Sequence, residues 1–225
     1  MPDTLLHIEN LSIGYGRSCV AQGITCAINR GDLLCVMGRN GSGKTTLIKT
    51  LLGIIEPVSG SITYESSVLK GYLPQLTTHQ IDVPANVWEV VLSGRVARLG
   101  KRFFYNAIDY HRVRESLEKV HMDDMRFQSF SRLSGGQQRR VLIARALATE
   151  ADLIVMDEPM AGLDTNSREE LYELLDTLRR DGISLIVVSH DELLAKRYAT
   201  YILNLDNYHA HQDTCDCDHG EVGDR

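Results

Sequence analysis

The sequence predicts an α/β protein: a mainly parallel sheet, an antiparallel β subdomain at its N-terminal end, and a helical subdomain inserted into the core. Three patterns carry this prediction. Leu33–Met37, Leu153–Met156 and Leu185–Val188 are continuous apolar runs of strand length, as expected of parallel strands covered on both faces. Between such runs lie helical stripes, clearest where Leu171, Leu174, Leu175 and Leu178 recur at i, i+3, i+4 and i+7. Ahead of both, Leu6, Ile8, Leu11 and Ile13 alternate with polar neighbours in two short stretches, which predicts half-buried antiparallel strands.

A helix is expected to begin near Lys44, with Leu47, Ile48, Leu51 and Leu52 as its apolar side. The stretch of about 60 residues from Gln75 to Ser134 reads as mostly helical, on the stripes Val87, Val90, Val91 and Val113, Leu117, Val120. We place the inserted subdomain at about 76–145, within a core unit spanning 1–205. Residues 206–225 are polar and without period, which predicts a flexible tail. The 225 residues, 43% of them apolar, suffice for one sizeable core. With 24 Lys and Arg against 30 Asp and Glu, the net charge of −6 argues against nucleic acid as a partner. No apolar run approaches the roughly 18 residues of a membrane span, and the N-terminus lacks a secretory pattern, so a soluble chain is expected. Five scattered cysteines read as reduced thiols rather than a disulfide framework.

Directly after the Leu33–Met37 strand stands Gly38-Arg39-Asn40-Gly41-Ser42-Gly43-Lys44-Thr45, followed by Thr46, which fits the phosphate-loop pattern G-x-x-x-x-G-K-[ST]. Strand, glycine turn and helix occur in the order the motif requires. Glycines let backbone N–H groups converge on phosphate oxygens, and the helix start adds its dipole. Lys44 is then expected to neutralise the β- and γ-phosphates, and Thr45 to coordinate Mg²⁺. A second strand ends in Asp157-Glu158, where a parallel sheet presents its ligands. Asp157 is expected at Mg²⁺, and Glu158, across the pleat, at the attacking water. These features define a P-loop nucleotide-hydrolase core. No N-K-x-D guanine-reading motif occurs, which argues against a GTPase.

At Leu133-Ser134-Gly135-Gly136-Gln137 the sequence resembles the signature of the ATP-binding-cassette (ABC) ATPases. The order Tyr15, phosphate loop, Gln75, signature, Asp157-Glu158, Ala161-Gly162-Leu163-Asp164 and His190 is similar to that family over about residues 5–205. The resemblance implies that Tyr15 stacks on adenine and that Gln75 reaches Mg²⁺ and the attacking water. It implies that His190 contacts the γ-phosphate, and that Ser134, Gly135, Gly136 and Gln137 act on the nucleotide of a second cassette. Asp164 would couple the two sites. It further implies a separate membrane permease, a peripheral position on the cytoplasmic face of the membrane, and a solute-binding protein acting through the complex. Val87–Arg95 with Arg98-Leu99-Gly100 resembles the matching region of zinc and manganese importers. An iron-complex, haem or other small-solute transporter is the alternative cargo reading, and a cassette acting on nucleic acid or ribosomes the alternative class. Trp88, Val91 and Leu92 are divided between a permease-docking surface and inner core. In the tail, His209, His211, Cys215, Cys217 and His219 are candidate ligands for Zn²⁺ or another transition metal; a plain solvated terminus is the competing reading.

Overall fold

The computed structural model describes residues 4–16, 18–75 and 84–208. In chain order these form β1 (Thr4–Tyr15), β2 (Ser18–Asn29), β3 (Leu33–Met37), α1 (Lys44–Leu51), β4 (Ser59–Tyr64) and β5 (Lys70–Leu73). There follow α2 (Val87–Ser93), α3 (Ala107–Lys119), α4 (Gly135–Ala148), β6 (Leu153–Asp157), α5 (Thr165–Arg180), β7 (Ser184–Val188), α6 (Glu192–Tyr198) and β8 (Tyr201–Asn204). A short 3₁₀ turn, Leu205–Tyr208, closes the described chain. No helix among the described residues is long and apolar enough to cross a membrane.

The strands make two sheets, an antiparallel one ordered β2-β1-β4 and a five-stranded parallel one ordered β5-β6-β7-β3-β8. Successive side chains of a strand point to opposite faces, and here each face has its own core. Leu33, Cys35, Ile154, Met156, Leu185 and Val187 pack with the helical residues of α2, α3, α4 and α5. Leu34, Val36, Leu153, Val155, Ile186 and Val188 pack with α1 and the antiparallel sheet. Burial on both sides is why these strands read as unbroken apolar runs.

At the N-terminus the two expected stretches are a single strand, β1. Leu6 and Ile8 have one parity and Leu11 and Ile13 the other, yet all four are fully buried. A one-residue slip would otherwise send the second pair to the opposite face. The register shifts between Ile8 and Leu11, where Asn10 adopts φ +46°, and this bulge restores the inward face.

The inserted region is less helical than expected. Among the described residues between Gln75 and Ser134, only α2 and α3 are α-helices; a 3₁₀ turn at Val96–Arg98 lies between them, and two more, Asp123–Met125 and Phe130–Arg132, follow α3. Asn86 and Asn106 start the two helices with reciprocal capping boxes to Glu89 and Asp109. At the end of the first helix the chain lies against α4: a Cβ on Gly94 would sit 2.2 Å from the Arg145 carbonyl oxygen. Gly94→Ala should therefore force α2 and α4 apart and cost about 1–3 kcal/mol. Thermal melting is the check, with about 2–4 °C lost per kcal/mol in a chain of this size.

Candidate nucleotide site

The parallel strands β3, β5, β6 and β7 end at one edge of the sheet, and most of the residues singled out by the sequence follow those ends. The loop after β3 turns through glycines at positive φ: Gly38 at +147°, Gly41 at +85° and Gly43 at +97°. Two of these leave no room for a side chain. A Cβ on Gly38 would lie 2.5 Å from Ser42 Oγ, and one on Gly43 would lie 2.9 Å from Val20 Cγ1. Helix α1 begins on Gly43 with no side-chain cap, so its first N–H groups face the loop interior. Lys44 Nζ is held at the loop centre by the Gly38 and Arg39 carbonyl oxygens, at 2.8 Å each. Ser42 Oγ is buried with no hydrogen-bond partner among the described residues. A buried orphan hydroxyl beside an ammonium and a helix start is a donor set that fits an anionic phosphate chain.

Asn40, Gly41, Gly43, Lys44, Thr45, Thr46, Gln75, Asp157 and Glu158 share one cleft of about 470 Å³. Burial, with the charge of Glu158 next to it, pushes the Asp157 carboxyl above the usual carboxylate range, and Lys44 opposes the shift. A carboxylate in that position is suited to a cation, as are the exposed hydroxyl of Thr45 and the amide of Gln75. Those three groups fit Mg²⁺.

Glu158 is gripped from two sides. Gln75 Nε2 donates to its Oε2 at 3.0 Å, and His190 Nε2 lies 3.3 Å from its Oε1. Strand order explains the meeting, since β6 and β7 are adjacent, with Asp157 paired to Val188. The residue itself takes φ +47°, a left-handed backbone uncommon for a non-glycine, with its N–H donating to the Val188 carbonyl at 3.0 Å. A second cavity, of about 280 Å³, adjoins the first through Glu158 and is lined also by Arg168, Ser189, His190 and Asp191. Asp191 caps α6, accepts from the Tyr172 hydroxyl and lies 3.6 Å from Arg168, which fixes the turn carrying His190.

The signature residues stand elsewhere. Ser134 is the N-cap of α4, its Oγ accepting from Gln137 N at 3.3 Å while Gln137 Oε1 accepts from Ser134 N at 3.0 Å. Helix α4 begins directly after it, at Gly135. Ser134, Gly136 and Gln137 line a separate hollow of about 210 Å³ with Arg140, Ser167 and Glu170. Gly136 lies close against α5: a Cβ there would be 3.1 Å from the Ser167 side chain, which would have to give by a few tenths of an ångström. Asp164 borders this face: it caps α5, accepting from Ser167 N at 2.9 Å and Ser167 Oγ at 2.7 Å, and these hydrogen bonds hold its carboxyl below the usual range. One chain therefore carries two anion-ready helix starts that do not face a common cavity. Tyr15 is exposed at the end of β1 and lines neither cleft. The tail candidates His209, His211, Cys215, Cys217 and His219 lie outside the described residues.

Two contacts had no sequence reading. Asp206, placed by sequence in the tail, accepts from the Arg39 N–H of the phosphate loop at 3.0 Å through Oδ1. Arg139 is 4% exposed and reaches from α4 to the loop behind Glu158. Its phase supplies the overlooked signal: Leu142, Ile143 and Ala146, at i+3, i+4 and i+7, are all buried, so Arg139 is an arginine on an inward stripe.

A phosphate loop and paired carboxylates at one edge of a doubly covered parallel sheet define a P-loop nucleoside-triphosphate hydrolase. The family model described as "ABC transporter" matches residues 21–161, and the chain belongs to the ABC transporter family, as an ATP-binding and ATP-hydrolysing subunit. It is 37% identical to the manganese transport system ATP-binding protein MntB of Bacillus subtilis over 206 residues, 89% of this chain and 82% of that one. It is 34% identical to the zinc transport system ATP-binding protein AdcC of Streptococcus pneumoniae, with 88% of each chain covered. Among solved structures, cbiO1 from Clostridium perfringens, part of the ABC transporter complex cbiONQ, superposes with a TM-score of 0.79 at 28% identity, covering 90% of this chain and 84% of that one.

Proposed function

We propose that this ATPase works as a head-to-tail pair on the cytoplasmic face of a membrane and drives a separate permease for a divalent metal ion, zinc or manganese. The catalytic half of the reading is carried by one observation: Glu158 borders the phosphate-loop cleft and is oriented there by Gln75 and His190.

In this scheme Tyr15 stacks on the adenine, and the N–H groups of Gly38 to Gly43 with Lys44 bind the phosphates. Ser42 gives its orphan hydroxyl to the same anion. Thr45, Gln75 and Asp157 hold Mg²⁺, which when bound neutralises charge on the phosphate oxygens. Glu158 is the general base: its Oε atoms face Gln75 and His190, so a water ordered by the same side chains can pass its proton to the carboxylate. His190 fixes the rotamer of Glu158 and reaches toward the γ-phosphate. The signature Ser134, Gly135, Gly136 and Gln137 serves the partner's nucleotide, because it opens onto a different face from its own chain's loop. Asp164, capping α5 beside that face, couples the two sites.

The cargo reading rests on the likeness to manganese and zinc transport subunits. The region of sequence likeness to such importers turns inward, however: Arg95 and Arg98 bind the C-terminal end of α4 through the carbonyl oxygens of Ala148 and Thr149. Val91 is core, Trp88 and Leu92 are half-buried, and Phe103 and Phe104 stand 91% and 85% exposed on the same insert. These two aromatic side chains suit a permease contact. A solute-binding protein acts through the complex.

The decisive measurement is uptake of a panel of divalent ions by cells with and without this subunit. Loss of zinc or manganese uptake alone is expected on deletion. Unchanged uptake of both ions would remove the cargo assignment.

A further inference from the structure

We propose that Arg139 is a positioning residue that locks the backbone behind Glu158 to the helix bearing the signature, so that closure on one nucleotide aims the carboxylate acting on the other. The inference deepens the catalytic reading and rests on the roles given there to Glu158 and Ser134.

Arg139 lies five residues after Ser134, within the second turn of α4. Its guanidinium spans the gap to the β6–α5 connection, where Nη1 donates to the Glu158 carbonyl oxygen at 3.1 Å and Nη2 to that of Ala161 at 2.7 Å. The Glu158 oxygen also accepts from Ala161 N at 3.1 Å, so three hydrogen bonds close this turn. The turn needs such closure. Glu158 holds a sparsely populated φ, which persists only where the surroundings over-determine it, and Pro159 contributes no N–H of its own.

Stability alone is a poor account of this arginine. Its charge is desolvated, which lowers its pKa, and Nε is buried without a hydrogen-bond partner among the described residues. An apolar side chain of similar length would fill the space without burying a charge. What only a guanidinium does here is bridge two carbonyls with a rigid planar fork. That fork ties the Glu158 and Ala161 carbonyls to the helix whose first residues meet the partner's nucleotide. Rotation of α4 on closure is thereby transmitted to the Glu158 turn, where a shift of about 1 Å is enough to change a rate by about 10²-fold.

The test uses the full-length chain and four measurements: steady-state hydrolysis, equilibrium ATP binding, the Hill coefficient for ATP, and thermal melting. Arg139→Met should lower kcat by about tenfold to 10²-fold, with KM and ATP affinity within about twofold of the parent and a reduced Hill coefficient. Arg139→Lys, able to reach one carbonyl but not both, should recover part of kcat. If the Met variant does not fold, the Lys variant decides by the same criterion. A parental kcat, or a loss of ATP affinity in parallel with kcat, overturns the proposal. Glu158→Gln is run beside them: if it is inactive while Arg139→Met is fully active, the coupling fails and the site stands. If Glu158→Gln turns over at the parental rate, the reading of the site itself fails.

Discussion

Glu158→Gln should reduce steady-state ATP hydrolysis by about 10²-fold or more, the usual contribution of a positioned general base, while ATP binding stays near the parental level. The substitution is close to isosteric. An amide oxygen can still accept from Gln75 Nε2, so the geometry of the cleft survives. What disappears is the ability to take a proton from water. Bound ATP then cannot be consumed, and the paired state that it stabilises should accumulate, visible as a dimer by size exclusion in ATP but not in ADP. Single-turnover hydrolysis separates this from slow product release. Failure of the dimer to accumulate would argue that the signature face does not act across chains.

A stability effect of comparable diagnostic value is expected away from the site. Arg95 is 3% exposed and Asp109 fully buried. Arg95 Nε donates to Asp109 Oδ1 at 3.0 Å, and its Nη1 reaches the Ala148 carbonyl oxygen at 2.7 Å and Glu150 Oε2 at 3.0 Å. This one side chain ties the loop after α2 to α3 and to the end of α4. Removing one partner of a buried pair leaves a charge stranded, and Arg95→Met should cost about 3 kcal/mol. The lower end of the usual range applies because Arg102 Nη1 still reaches Asp109 Oδ2 at 2.8 Å, and Asn106 N at 3.0 Å.

The same pair predicts a pH signature. Hydrogen bonds from Arg102, then from Asn106 N–H and Arg95, hold the Asp109 carboxyl far below the usual carboxylate range. A carboxyl depressed on folding contributes stability that is complete above its unfolded pKa of about 3.9 and is lost as pH falls through the folded value. Melting temperatures of parent and Arg95→Met should therefore differ most near neutrality and converge in strong acid. A constant gap across that range would show that the penalty arises from packing rather than from charge.

Much of the fold was legible because both its strands and its helices carry long-wavelength patterns. The apolar runs of β3, β6 and β7 and the stripe of α5 lie where the sequence put them. The N-terminal strand was read as two because apolar parity changes within it, and parity alone does not distinguish a turn from a bulge. The insert was over-read as helix: its stripes at Val87 and Val113 are real, but Gly94 meeting α4 and the Arg95 network hold the intervening chain in turns. Asp206 was assigned to the tail on composition, and its bond to the phosphate loop spans 167 positions of sequence.

By itself, the sequence determined the phosphate loop and the carboxylate-tipped strand, since each depends on residues a few positions apart and on rules of local geometry. Tertiary structure decided how Glu158 is aimed. Gln75 is 83 positions away from it, and His190 stands at the end of the neighbouring strand. They meet because parallel strands in register deliver their C-terminal ends to one edge, a juxtaposition set by strand order rather than by any spacing along the chain. Tertiary structure likewise turned Arg139 inward, where the packing of α4 against the β6–α5 connection gives its guanidinium two carbonyls to bridge.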